Sequence, residues 1–231
     1  MSPAVPIGVV TGLMTEARCL EGTKASATPI VYCSGSSAAR ARDGARQLAA
    51  SGVAGLLSFG IAGGLDPKLS PGTLVLASEI VAPDGTRFDS SREWRERLRA
   101  GAWSQCDFET GAIAGANEAV MTAAGKRALY EKTGAVAVDM ESLAVAEAAR
   151  EAGIPFMALR AIADPANRNV PAWALAGVHP DGRTRPFKVL GRVLIRPWEV
   201  PALFALARDA EAAFDALRRV ADLPALLAAP G

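Results

Sequence analysis

The order of local patterns along the chain is what most restricts its fold. Short runs of apolar, strand-favouring residues alternate with alanine-rich segments of helical spacing, from "PIGVVTGL" (6–13) to "IPFMALRAIAD" (154–164). This alternation points to an α/β domain, because a strand buried on both faces needs a helix to cover it before the next strand pairs alongside. Strands are expected at 6–13, 29–35, 52–64, 72–83, 110–120, 135–140 and 154–164. Helices are expected at 37–51, 122–134 and 142–153, the last two closed by Gly134 and Gly153. Residues 91–103 alternate charges and read as a solvated helix or loop. Residues 171–197, broken by prolines, read as a long ordered loop, and 197–223 as an amphipathic C-terminal helix. The expected fold is one domain over 1–231, a three-layer α/β/α sandwich with a central mixed, largely parallel sheet.

Composition narrows the function. A chain of 231 residues, half of them hydrophobic, suits one domain with a sizeable core. Lys plus Arg number 25 against 24 Asp plus Glu, so the net charge of +1 lacks the basic surplus of a nucleic-acid binder. Cys19, Cys33 and Cys106 form no CxxC pair, and His179 is the lone histidine. A disulfide framework, a zinc site and a multi-histidine metal centre are all disfavoured, and no metal is expected. Residues 47–65 carry no charge over about the length of a spanning helix. Gly52, Gly55, Gly60, Gly63 and Gly64 make a helix, a turn and a buried strand the better reading. The N-terminus has no signal-peptide pattern, and a cytoplasmic location follows as the expectation.

The nucleotide-binding motifs GxGxxG and GxxxxGK[ST] are absent, as is a GxSxG elbow. Three strand exits carry the chemistry instead. "GIAGGL" (60–65) is glycine-dense, so backbone N–H groups can approach a ligand closely, although a tight turn would look the same. "VDMES" (138–142) sets Asp139 and Glu141 either side of Met140 where a strand gives way to a helix, the place where open α/β sheets hold ligands. Acids there also cap helices. "RAIAD" (160–164) ends the next strand with Asp164, which an N-cap role would equally explain, as a salt bridge would explain Arg160.

From about Ile7 to Asp164 the sequence resembles the purine nucleoside phosphorylase and methylthioadenosine/adenosylhomocysteine nucleosidase superfamily. The resemblance rests on "IGVVTGLMTEA", "SFGIAGGLDPKLSPGTLVLASEI", "VAVDMES" and "RAIAD". Within it, "TGLMTEARCL" and "SFGIAGGL" are most similar to the hopanoid-associated subgroup, whose members are thought to remove adenine from adenosylhopane. The resemblance implies that Glu141 grips the ribose hydroxyls, Met140 packs on the sugar and Asp139 orders the turn. Asp164 is implied to protonate, or hydrogen-bond, N7 of the departing purine, and an acid there implies adenine. Cleavage builds positive charge on the ribosyl ring, which a carboxylate favours, while an acid at N7 neutralises the leaving base.

The sequence departs from the family pattern in three places. Ala17 aligns with the glutamate that orients the attacking water, leaving Glu16 one residue early as the third catalytic candidate. Ile61 replaces a serine or threonine, and Ala119 the aromatic that stacks on the base, with Val120 beside it for backbone contacts. Gly63 and Arg160 complete the substrate-side candidates. Gly12 and Arg40 are the candidates for phosphate, whereas Arg18 reads as a surface residue. The displaced glutamate and Arg40 tip the expectation towards phosphate as acceptor, although Ile61 argues the other way. No cofactor is expected beyond inorganic phosphate as a co-substrate. The expected partner is a small-molecule nucleoside, with a homo-oligomer by family habit. Trp173, Leu175, Phe187 and Trp198, interleaved with Arg183, Arg185, Lys188 and Arg192, suggest an apolar mouth for a hydrophobic 5′ group and weak peripheral contact with the inner face of a membrane. The alternatives are an ordinary methylthioadenosine/adenosylhomocysteine nucleosidase and a non-catalytic nucleoside-binding module.

Overall fold

The structure, a computed structural model, describes residues 4–23, 27–35, 37–102, 106–171, 182 and 200–228. In chain order its elements are β1 (Gly8–Thr11), α1 (Met14–Arg18), β2 (Ile30–Cys33), α2 (Ala38–Ala50), β3 (Leu56–Gly64), β4 (Leu74–Val81), β5 (Arg87–Asp89) and α3 (Arg92–Ala102). There follow β6 (Phe108–Gly115), α4 (Ala123–Thr133), β7 (Ala137–Asp139), α5 (Ser142–Ala152), β8 (Phe156–Asp164), α6 (Val200–Ala221) and a 3₁₀ turn (Pro224–Leu227).

The strands form one eight-stranded mixed sheet with flanking helices, the α/β architecture that the alternating pattern implies. Parallel ladders join β1 to β2 and β3, β3 to β8, β4 to β6 and β6 to β7. Antiparallel ones join β3 to β7, β4 to β5 and β4 to β8. The path β3–β8–β4–β6–β7 returns to β3, so this part of the sheet curls round on itself rather than lying flat. Register shifts at Ala62/Gly63 and Ala77/Ile80 mark bulges, which bend and twist a strand locally. The first frees the end of β3 to pair with β7.

Both faces of the central strands are apolar, and each packs against its own helices. Leu56, Phe156 and Ala158 join Ala45 and Leu48 of α2 and Val145 of α5 on one side. Their neighbours in sequence, Leu57, Met157 and Leu159, join Trp94 and Leu98 of α3 and Leu217 and Val220 of α6 on the other. The period-2 alternation of a strand distributes these residues between the two cores. Residues 91–103, expected to be solvated, depart from that reading. Trp94 and Leu98 lie one helical turn apart and are wholly buried, and the Trp94 indole N–H donates to the Leu226 carbonyl at 3.0 Å. Only the outer face, with the Arg92–Glu96 and Arg97–Glu93 pairs, meets solvent.

Gly134 and Gly153 end α4 and α5 in left-handed conformations (φ 69° and 66°), as the sequence predicts. The three cysteines are free thiols. Among the described residues, no helix is long and apolar enough to cross a membrane. His179 and the apolar and basic side chains singled out in 171–197 lie outside the described residues.

Candidate active site

The exits of β1, β3, β7 and β8 converge, and the residues there explain one another. The chain leaves β1 through Gly12 and Leu13 into the short α1, whose Glu16 folds back over the turn. Glu16 Oε2 accepts the backbone N–H of Gly12 and of Leu13, each at 2.8 Å, and Oε1 accepts that of Ile61 at 2.8 Å. One carboxylate thus ties β1 to the glycine-rich end of β3. At two points of this approach any residue larger than glycine would push a carboxylate aside. A Cβ on Gly60 would lie 2.5 Å from Glu16 Oε1, and one on Gly12 would lie 2.7 Å from Glu141 Oε1.

The two acids after β7 divide their work. Asp139 serves the start of α5, accepting the Ser142 N–H at 3.1 Å and the Ser142 hydroxyl, and it pairs with Arg160. Glu141 stands at the N-cap position yet makes no capping hydrogen bond. Its side chain turns to the interior, 3.4 Å from Arg160 Nη2. Arg160 is wholly buried; Nη2 donates to Ser58 Oγ at 2.6 Å and Ser142 Oγ at 3.1 Å. Its Nη1, beside Gly60 and Glu16, has no hydrogen-bond partner among the described residues.

Three carboxylates therefore face one guanidinium, which cannot give up its charge. Burial, against the pull of Arg160, pushes the Glu141 carboxyl up to about 8, with Asp139 and Glu16 adding to the rise. Burial likewise raises Glu16, opposed by Arg160 and by its backbone donors. Removal from water disfavours the charged form, and a lone cation only partly offsets it.

A second charged pair lies across the site. The bulge in β3 sets Asp164 opposite Gly63, where a Cβ would lie 3.4 Å from Asp164 Oδ2. That oxygen pairs with Lys126 of α4, whose side chain is wholly buried. Burial raises the Asp164 carboxyl, opposed chiefly by Lys126. The loops that follow β6 and β8 are joined here. The Val170 N–H donates to the Met121 carbonyl at 2.8 Å, and the Ala123 N–H to Asn169 Oδ1 at 2.8 Å.

Between the two groups lies a cavity of about 530 Å³. Its lining includes Gly12, Glu16, Ile61, Gly63, Ala119, Val120, Met140, Glu141 and Asp164. Arg160 does not line it, being packed beneath the carboxylates, so its position is that of a support rather than a substrate contact. Arg40 sits on the exposed side of the first turn of α2, outside the lining, and Arg18 is exposed at the end of α1. Among the described residues, no lysine or arginine lines the cavity. Sequence reasoning passed over Lys126, Ser58 and Ser142. The available signal for Lys126 was its place three and four residues before Leu129 and Tyr130, on the inward stripe of α4.

Convergent carboxylates at the strand exits of a curled α/β sheet, around a cavity of small-molecule size, define an enzyme that handles a small polar-and-apolar substrate. The sequence matches the phosphorylase superfamily over residues 15–195, and the chain belongs to that family. Among curated proteins, none matches it in sequence. Solved structures share its fold. The 5′-methylthioadenosine/S-adenosylhomocysteine nucleosidase of Colwellia psychrerythraea 34H, in complex with adenine, is 17% identical with a TM-score of 0.72, covering 98% of each chain. The Neisseria meningitidis nucleosidase of the same name is 18% identical with a TM-score of 0.71, covering 94% of this chain and 97% of that one. Futalosine hydrolase of Helicobacter pylori is 21% identical with a TM-score of 0.63, covering 70% of this chain and 88% of that one.

Proposed function

We propose that the protein hydrolyses the N-glycosidic bond of an adenine nucleoside bearing a bulky apolar 5′ group, and releases free adenine. One observation carries this reading: Glu16, Glu141 and Asp164 line the same cavity. Glu141 receives the ribose hydroxyls. Glu16, raised by burial and so a fitting base, takes a proton from the water that attacks C1′. The electron pair of the C1′–N9 bond stays with the purine, and Asp164 gives its proton to N7. As the ribosyl ring becomes cationic it draws the buried acids beside Arg160 into their charged form, and that charge favours the transition state. Met140 and Val120 offer apolar surface to sugar and base, and Ala119 leaves room where an aromatic would stand.

Water is favoured over phosphate as acceptor. The backbone N–H groups of Gly12, Leu13 and Ile61, which could have cradled an anion, are already taken by Glu16. A phosphate dianion would meet that carboxylate with no lining cation among the described residues. The apolar 5′ group is favoured by Leu13, Ile61, Val138 and Val170 in the lining, by room within the roughly 300–1,000 Å³ of small-molecule sites, and by the composition of 171–197. Each buried methylene would add about 0.8 kcal/mol of affinity. Adenosylhopane fits this description, and weak attachment to anionic membranes and a homo-oligomeric state are part of the same reading.

The test measures adenine release with and without phosphate, comparing methylthioadenosine with adenosines of graded 5′ hydrophobicity. The expected result is a phosphate-independent rate, a free sugar product and kcat/KM that rises with apolar size. A sugar 1-phosphate product would make the enzyme a phosphorylase. Equal kcat/KM across the series would leave an ordinary methylthioadenosine/adenosylhomocysteine nucleosidase.

A further inference from the structure

Asp164 can serve a departing purine only if one of its oxygens is free to meet N7 and if the carboxylate left behind is tolerated in a largely buried place. Lys126 meets both requirements. Its side chain is wholly buried, whereas that of Asp164 is 21% exposed toward the cavity. An ammonium carries three hydrogens, and here they are shared among four oxygens: Asp164 Oδ2, the Pro165 carbonyl at 2.9 Å, the Arg168 carbonyl at 3.3 Å and, more distantly, the Asp164 carbonyl at 3.5 Å. The Arg168 side chain in turn reaches Asp209 of α6 at 2.6 Å, so the 165–168 turn is held at both ends. With Oδ2 engaged, Asp164 Oδ1 meets no hydrogen-bond donor among the described residues. Its neighbour in sequence, Arg127, points to solvent, so α4 sends one cation inward and one outward.

We propose that Lys126 is a positioning residue for departure of the base: it leaves Asp164 Oδ1 for purine N7 and stabilises the carboxylate formed when the proton is given up. The proposal rests on the N-glycosidic reading above. In the step itself, the C1′–N9 bond breaks and its electrons stay on the purine, while the O–H hydrogen of the Asp164 carboxyl moves to N7. Water supplies the hydroxyl to C1′ and its other proton to Glu16, and solvent carries a proton back to Asp164 after release. Without Lys126 the new carboxylate would stand largely desolvated with only the lesser pull of Arg168 to offset it, and Asp164 would hold its proton too tightly to donate it. A second reading of the same geometry makes Lys126 only a clamp on the 165–168 turn. The two differ in what they predict for a substrate whose leaving group needs no proton.

The experiment compares an adenine nucleoside with 4-nitrophenyl β-ribofuranoside, which leaves as a stable phenolate, in wild type, Lys126→Met and Lys126→Gln. Glutamine keeps a donor for the turn's carbonyls while removing the charge, and serves if the methionine variant does not fold. The expected result is a fall in kcat of about 100-fold on the adenine nucleoside, the scale of general acid catalysis, with KM changed only a few fold. The nitrophenyl riboside loses far less. Activity that depends on protonated Asp164 declines as pH rises through its pKa, and removing the adjacent positive charge raises that pKa. The alkaline limb of the pH profile therefore moves to higher pH in both variants. Equal losses on the two substrates with an unmoved limb would reduce Lys126 to a clamp and overturn the proposal, as would unchanged kcat on the adenine nucleoside. Wild-type protein that splits neither substrate would instead defeat the proposed function, and this assignment with it.

Discussion

The two ends of the site each set acid against one buried cation, and they do so in opposite proportions. At the ribosyl end, among the described residues, Glu16, Asp139 and Glu141 surround the one guanidinium of Arg160. At the base end Asp164 stands one to one with Lys126. A surplus of carboxylate is costly to bury, because desolvation of each ion exceeds what a shared partner returns. A surplus of acid beside the cavity makes sense if the ribosyl cation of the proposed reaction draws it into its charged form and completes the charge balance in the transition state. A one-to-one pair instead suits a group that must change its own protonation during the reaction. Under the proposed reaction the ends therefore do separate work, one electrostatic and one acid–base, and each should be open to damage without the other.

The largest expected effect tests that separation directly. Glu141→Ala and Asp164→Ala should each lower kcat/KM on an adenine nucleoside by at least about 100-fold, the usual scale for a transition-state contact or a general acid. The Glu141 penalty should shrink when the substrate lacks its 2′ and 3′ hydroxyls, and the Asp164 penalty should not. Turnover near that of wild type in either variant, or the same response to both substrates, would merge the two ends into one.

A smaller effect is carried by pH. Glu141 has a folded-state pKa raised from 4.5 to about 8, so folding favours its protonated form. The stability this contributes is fully present below about 4.5 and is lost as pH rises through about 8. The loss is limited to about 1.4 kcal/mol per pH unit for one proton, and Glu16 acts in the same direction. Urea unfolding between pH 5 and 9 should show falling stability in wild type and a shallower fall in Glu141→Gln. Parallel curves would mean that the carboxylate surplus is not felt at Glu141.

Much of this was legible in the chain. The alternation of strand and helix patterns gave the layers, and Gly134 and Gly153 gave two helix ends, because those signals are local. "VDMES" and "RAIAD" gave Glu141 and Asp164 because a strand's end fixes where its last side chains go. What the chain could not reveal was pairing across it. Arg160 reads as a candidate contact from its strand position, yet its partners Ser58 and Ser142 come from β3 and α5 and draw it beneath the cavity. Glu16 looked one residue out of place, since nothing local shows that α1 turns its carboxylate back onto the Ile61 N–H. Trp94 and Leu98 were hidden by the charges around them until the 3₁₀ turn after α6 supplied a partner for the indole.

The smallest expected effect falls on Asp139, the acid that does not contact substrate in the proposed reaction. Asn at this position keeps an oxygen for the Ser142 N–H that Asp139 now accepts at 3.1 Å. What it loses is the second carboxylate oxygen, with its ion pair to Arg160 and its acceptance of the Ser142 hydroxyl. A hydrogen bond to a charged group is worth about 1.5–3 kcal/mol. Part of that is returned here, because one member of a crowded carboxylate group has been neutralised. A net loss of about 1 kcal/mol follows, read as a lower urea midpoint with an unchanged slope. Asp139 is also among the groups that push Glu141 up, so the pH window over which stability falls should move to lower pH in Asp139→Asn. Its kcat/KM at neutral pH should stay within about threefold, since the groups placed around the substrate remain and a change of that size is well under 1 kcal/mol. A catalytic defect of 100-fold with an unmoved urea midpoint would give Asp139 a share of the chemistry, and the division between a supporting acid and a gripping acid at the end of β7 would have to be redrawn.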